Sequence, residues 1–88
     1  MEQQVETILE KVMEVPGNVG CLLANNQGLC LGAKGNASEH SAGLIVAISN
    51  LASQLDPKCS APVVSLESSD RICLIHKHGI TGAIFKQK

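Results

Sequence analysis

The chain contains 88 residues, 44% of them hydrophobic, and carries a formal net charge of −1 from seven basic and eight acidic side chains. This length predicts one domain, residues 1–88, and the apolar content excludes a disordered chain. The basic residues are scattered and Phe85 is the only aromatic residue, so the sequence lacks the charged patch and the stacking rings that nucleic-acid binding requires. No apolar run approaches the roughly 20 residues of a membrane helix, so direct membrane insertion is not expected.

The first predicted elements are a helix and a β-hairpin. Apolar residues recur at helical spacing over residues 3–14, and Pro16-Gly17 ends that pattern. Two short apolar segments follow, at 19–24 and 29–34, and the residues Asn25-Asn26-Gln27-Gly28 between them are typical of a tight turn. Such a short connection predicts an antiparallel pair of strands.

A second, longer helix is predicted over residues 39–55, with Ser38 as its N-cap. Its large apolar residues share one stripe, which we expect to pack on the sheet: Leu44, Ile48, Leu51 and Leu55. At about 100° per residue, Val46 lies about 160–200° away from this stripe, with Ala42 beside it. We therefore predict that Val46 faces solvent in a single protomer and is available to a partner.

Three further strands are predicted at 62–66, 71–76 and 80–86, joined by tight turns into a meander. Pro62 has no N–H to donate, so the first of them begins at or lies on an edge of the sheet. The segments 19–24 and 62–66 are almost continuously apolar, which is typical of strands covered on both faces. Two helices, one on each face, would provide that cover and make the sheet the middle of three layers.

The histidines and glycines do not form a recognisable metal or cofactor site. His76 and His78 would share a face if their strand extended through His78, but no Asp, Glu or Cys completes a ligand set at motif spacing. The stretch QGLCLGAKG resembles a phosphate loop only in composition. Gly28 is explained by the turn, and Gly32 by the close approach of other atoms to its strand.

No catalytic residues are expected either. The four cysteines form no Cys-x-x-Cys pair, and we interpret them as small buried hydrophobes; they are Cys21, Cys30, Cys59 and Cys73. The polar, acidic start of the chain is not a secretory signal, so we expect reduced thiols. No Gly-x-Ser-x-Gly elbow is present, and a chain of this size has little room for a ligand pocket beside its core.

With no catalytic or cofactor site expected, the function is predicted to depend on surfaces that bind another protein. An edge strand presents unpaired backbone groups to which another strand can be added, and the segment APVVSLES has the composition of such a strand. We predict a partner interface formed by this strand and by the side of the long helix opposite its leucines. Its residues are Ala42, Val46, Ser49, Pro62, Val63, Val64, Ser65 and Leu66.

The order and spacing of these features resemble the roadblock/dynein light chain superfamily and, within it, the subunits of the Ragulator complex. The matching residues extend along nearly the whole chain: Val19-Gly20, Gln27-Gly28-Leu29, Leu31-Gly32, Gly35, Ser38, Ala42-Gly43, Pro62-Val63-Val64, Leu66-Glu67-Ser68, Lys77-His78 and Gly79-Ile80-Thr81. The resemblance implies an α+β, roadblock-like fold: a five-stranded antiparallel sheet between two helices, in the order helix-strand-strand-helix-strand-strand-strand. It also implies pairing through the third strand and the second helix into a ten-stranded sheet.

Many roadblock proteins carry a third helix after the last strand, whereas this chain stops at Lys88. We therefore expect no C-terminal third helix, and a partly uncovered sheet face that a further partner covers.

In functional terms, the resemblance implies a non-catalytic scaffold subunit that dimerises with another roadblock-fold subunit. Rag GTPases would be partners indirectly, in amino-acid signalling to the TOR kinase. A lipidated scaffold subunit would hold the complex on the lysosomal surface, while the chain itself is expected in the cytoplasm. One alternative is a homodimeric roadblock-type regulator of a small GTPase, and another, from a third class, is an enzyme that depends on Cys73.

Overall fold

The computed structural model describes residues 2–58 and 62–88, which form two helices, a 3₁₀ turn and five strands. The elements are α1 Glu2–Glu14, β1 Asn18–Ala24, β2 Cys30–Gly35, the 3₁₀ turn Glu39–Ser41, α2 Ala42–Leu55, β3 Val63–Glu67, β4 Arg71–His78 and β5 Ile80–Gln87. This confirms the predicted order. The predicted boundaries agree to within one or two residues except at the start of α2, where the first three predicted residues form the 3₁₀ turn.

The five strands form one antiparallel sheet in the order β2-β1-β5-β4-β3. The predicted position of β3 at an edge is therefore confirmed, and β2 forms the other edge. The first and last strands of the chain pair at the centre of the sheet, with Cys21 opposite Ile84 and Leu23 opposite Gly82.

The two helices cover opposite faces of this sheet. Leu22 and Ala24 belong to a core that contains residues of α2, whereas Cys21 packs with Val5 and Leu9 of α1. Because successive side chains of a strand point to opposite faces, these neighbours in β1 identify two separate cores. The predicted three layers are confirmed.

Two glycines have the roles that their spacing predicted. A Cβ at Gly32 would lie 2.8 Å from Leu9 Cδ1 and 2.9 Å from Val5 Cγ1, so α1 approaches β2 where this strand has no side chain. Gly28 has a φ of +86° in the β1–β2 turn. Asn25 organises that turn, because its Oδ1 accepts hydrogen bonds from the backbone N–H groups of Gln27 and Leu29.

The N-cap prediction is correct for a different element. Ser38 Oγ accepts a hydrogen bond from His40 N at 3.2 Å and so caps the 3₁₀ turn. Ser41 precedes α2 itself, and its side chain makes no capping hydrogen bond. The 3₁₀ turn thus lies between Ser38, the predicted N-cap, and the start of α2.

The predicted orientation of α2 is wrong for its leucines, whereas Ile48 of the same predicted stripe is half-buried and packs against the core. The side chains that face the sheet are buried and mostly small: Ala42, Ile45, Val46 and Ser49. The leucines predicted to face the core are largely exposed to solvent: Leu44 at 70%, Leu51 at 63% and Leu55 at 88%. Val46 therefore belongs to the core, together with the small sheet residues Ala24 and Ala83. In this core, the small residues of both layers pack together with the larger Ile45 and Ile75.

Candidate partner interface

The edge strand β3 is the first part of the candidate interface. Within residues 2–58 and 62–88, it pairs only with β4, so the backbone groups on its outer side are available to another strand. Val63 is 65% exposed and Leu66 is 45% exposed. The prediction that this strand is covered on both faces is wrong for the single protomer, because α1 packs over β1 and β2 at the other side of the sheet.

The outer side of α2 is the second part. The N-terminus of α2 lies at the β1–β2 turn, where a Cβ on Gly28 would approach Gly43 Cα to 3.1 Å. Farther along the helix, Lys77 Nζ of β4 donates to Asn50 Oδ1 at 3.5 Å. The helix therefore crosses the sheet towards β3. The exposed side chains of Leu51 and Leu55 project from the half of α2 nearest that edge.

The predicted interface residues divide between the surface and the core. Those of β3 are accessible: Val63, Ser65 and Leu66 are exposed, and Pro62 and Val64 are half-buried. The three from α2 are buried against the sheet in the protomer: Ala42, Val46 and Ser49. The leucines of the opposite side take their place in the candidate interface.

Sequence reasoning missed those leucines although a signal was present. The segment of α2, AGLIVAISNLASQL, contains no charged residue, and apolar residues occur on both sides of it, Leu44 and Leu51 on one and Ala42 and Val46 on the other. A helix that covers one face of a sheet needs only one apolar side, and the second one indicates a further contact.

A groove on the α1 face forms a second candidate surface. α1 covers only the β1–β2 half of that face. The rest forms an apolar groove of about 440 Å³, whose lining includes Val12, Leu23, Val63, Leu74, Ile80 and Ile84. The predicted partly uncovered face is therefore present beside α1.

Two of the thiols, Cys21 and Cys73, lie in environments that do not favour the thiolate. Cys21 is buried under α1, with its Sγ 3.7 Å from the carbonyl oxygen of Leu9, and burial raises its pKa. Burial also raises the pKa of Cys73 on β4, while Cys30 is a half-buried free thiol. The prediction that the cysteines are small buried hydrophobes is therefore confirmed for Cys21. Cys30 and Cys73 are only partly buried. Cys59 lies outside the described residues.

Other polar groups stabilise the fold locally. The carboxylate of Glu6 on α1 pairs with Lys34 on β2, and this hydrogen bond raises the pKa of the lysine. Lys88 Nζ lies 3.1 Å from Glu67 Oε2 at the end of β3. In the described part of the chain, no three His, Cys, Asp or Glu residues are grouped so that they could hold a metal ion. No described helix is both long and apolar enough to span a membrane.

The sequence matches a protein family over residues 1–86, and that family is described as Ragulator complex protein LAMTOR5. The chain belongs to the LAMTOR5 family. Ragulator complex protein LAMTOR5 of Xenopus tropicalis is 42% identical over 89 residues, which cover 98% of this chain and 97% of that protein. The LAMTOR5 homolog of Nematostella vectensis is 35% identical over 88 residues, with 98% and 97% covered. The Ragulator subunit that the sequence pattern resembles, hepatitis B virus X-interacting protein, is LAMTOR5 under another name.

Solved structures agree on the fold of this LAMTOR5 family member. A roadblock/LC7 domain from Streptomyces avermitilis superposes with a TM-score of 0.77 at 14% identity, covering 99% of this chain and 78% of that one. MglB of Myxococcus xanthus superposes with a TM-score of 0.84 at 9% identity, covering 99% and 72%. The predicted α+β roadblock-like fold is confirmed.

Proposed function

We propose that this chain is a non-catalytic scaffold subunit of a Ragulator-like complex, in which it dimerises with another roadblock-fold subunit. Membership of the LAMTOR5 family carries the proposal, because relatives of nearly the same length are Ragulator complex proteins. The complex would help to recruit and activate Rag GTPases at the lysosome, for amino-acid signalling to the TOR kinase.

The dimer contact would use the β3 edge and the outer leucines of α2 together. Strand addition at β3 would extend the sheet, with backbone hydrogen bonds setting the register. Leu51 and Leu55 project from the part of α2 nearest to β3. A partner that pairs with β3 would therefore also cover these two leucines. Burial of these exposed leucines would contribute about 1.5–3 kcal/mol for each one that becomes fully covered.

The groove on the α1 face would receive a different subunit. The strands β5, β4 and β3 span about 10 Å between the outer strand axes. This width is about the diameter of one α-helix. We assign the groove to an apolar segment of a lipidated scaffold subunit. That subunit would place the complex on the lysosomal membrane without any insertion by this chain.

Affinity purification of the tagged chain from cells tests this function. The proposal predicts co-purification of a roadblock-fold subunit, a lipidated subunit and Rag GTPases. Recovery of self-copies alone would contradict it and would favour the homodimeric regulator of a small GTPase. Turnover by the purified protein that is lost in a Cys73→Ala variant would also contradict it.

A groove variant separates the two surfaces. Leu74→Glu places a carboxylate in the apolar groove, and we expect loss of the lipidated subunit with retention of the roadblock-fold partner. Lysosomal staining should disappear with the lipidated subunit. Leu29→Glu is the matched control, because Leu29 is 64% exposed and does not line this groove. If Leu74→Glu keeps the lipidated subunit, the groove is not its binding site.

A further inference from the structure

Two histidines stand side by side on the α1 face of β4, a feature that the proposed function does not use. The strand runs continuously from Arg71 to His78, so the condition that the sequence left open is met. His76 and His78 are two residues apart and therefore point to the same face. Both are exposed, and both line the groove beside α1.

The spacing of the two imidazoles suits chelation of a single metal ion. Two residues along a strand separate the Cα atoms by about 6.6–6.8 Å. Imidazole nitrogens bind zinc at about 2.0–2.1 Å, usually with tetrahedral geometry. Side chains of this length, leaving the same face at this separation, can converge on one ion. We infer that His76 and His78 form a two-histidine site for a divalent transition metal, with zinc as the expected ion.

The surroundings favour a cation at this place. The cross-strand neighbours of His76 are Val63 and Gly82, and that of His78 is Ile80, and none of these three carries a charge. Lys77, between the two histidines, projects to the opposite face and donates to Asn50. Gly82 contributes no side chain and leaves space next to His76.

Two protein ligands leave two positions of a tetrahedral ion open. In the isolated chain, water would occupy them, and the affinity would be that of a weak chelate. A His, Cys, Asp or Glu from a segment bound in the groove could complete the shell, because the two histidines lie at the rim of that groove. Zinc would then strengthen the docking of a partner that supplies such a residue.

Titration of the full-length chain with Zn²⁺ by isothermal calorimetry, at neutral pH in a non-chelating buffer, tests this site. We expect one Zn²⁺ per chain, and binding that weakens by roughly tenfold or more in His76→Asn or His78→Asn. The amide NMR signals of Val63, Ile80 and Gly82 should shift with Zn²⁺. Mg²⁺ should produce neither effect, because it prefers oxygen ligands.

His40→Asn is the matched control, since His40 lies on the 3₁₀ turn before α2 and not on β4. The inference is overturned if Zn²⁺ binding persists in the His76→Asn, His78→Asn double variant, if His40→Asn weakens it equally, or if the wild-type chain does not bind Zn²⁺. Circular dichroism of each variant checks the fold. Because the substituted histidines are exposed, we expect the fold to be unchanged. Recovery of the roadblock-fold subunit, which the proposed function places at the β3 edge, does not depend on this outcome.

Discussion

The two sides of helix α2 differ in a way that their hydrophobicity alone does not reveal. The inner side carries the smaller side chains and is fully buried on the sheet: Ala42, Ile45, Val46 and Ser49. The outer side carries the larger ones and is exposed: Leu44, Leu51 and Leu55. The sheet buries the inner side within the protomer, whereas the outer leucines would be covered only in the proposed dimer. The most apolar stripe of a helix therefore need not belong to the core of the protomer.

The largest expected effect comes from a charge on the inner side. Val46→Glu buries a carboxylate among Ala24, Ile75 and other core residues, which costs several kcal/mol when it stays unpaired. Since the whole domain is stabilised by about 5–15 kcal/mol at most, we expect an unfolded or strongly destabilised chain. Far-UV circular dichroism and thermal unfolding measure this. A folded Val46→Glu protein that loses only its partner would show that Val46 faces outward after all.

The same charge on the outer side should leave the protomer folded and remove pairing. Leu51→Glu puts the carboxylate in solvent in the protomer but buries it in the proposed dimer. A cost of several kcal/mol there corresponds to pairing weaker by roughly 100-fold or more. Sedimentation velocity with the co-purified roadblock-fold subunit measures it. Leu29→Glu, at similar exposure near the other edge of the sheet, is the control that should pair normally. An intact Leu51→Glu complex would remove this side of α2 from the interface.

Truncation to alanine compares the two sides without introducing a charge. Ile45→Ala should lower the free energy of unfolding by about 2–5 kcal/mol, because it leaves a cavity between α2 and the sheet. Leu55→Ala removes an exposed side chain and should change it by less than about 0.5 kcal/mol. Urea unfolding of both variants gives the two values. Equal losses would mean that Leu55 packs in the protomer.

The smallest effect concerns a hydroxyl on the inner side. Ser49 Oγ is buried and has no hydrogen-bond partner among the described residues. Ser49→Ala should therefore raise the free energy of unfolding by about 1 kcal/mol. Ser53→Ala is the control, because Ser53 Oγ donates to the carbonyl oxygen of Ser49 and lies partly exposed. Both changes add the same small gain in helix propensity, so the difference in urea midpoints isolates the buried hydroxyl. A Ser49→Ala protein less stable than Ser53→Ala would indicate that the hydroxyl has a partner.

The local features of the fold could be predicted from the sequence because each depends on neighbours along the chain. Residue spacing and turn chemistry determined the order of the elements and the role of Gly28 in its turn. The missing N–H of Pro62 indicated that β3 lies at an edge. The position of Gly32 within an apolar strand predicted close approach, which Leu9 and Val5 make. These inferences needed no knowledge of which surfaces meet.

The orientation of α2 and the composition of the candidate interface depended on the tertiary structure. The uncharged polar residues Ser49, Asn50 and Ser53 lie on the side of Val46, so the periodicity favoured Leu51 and not Val46 as the inner residue. That choice depends on the space above the sheet, which small residues such as Ala24 and Ala83 define. Likewise, an apolar β3 does not show whether a helix or a second chain covers it. Only the packing of α1 over β1 and β2 leaves that strand open to a partner.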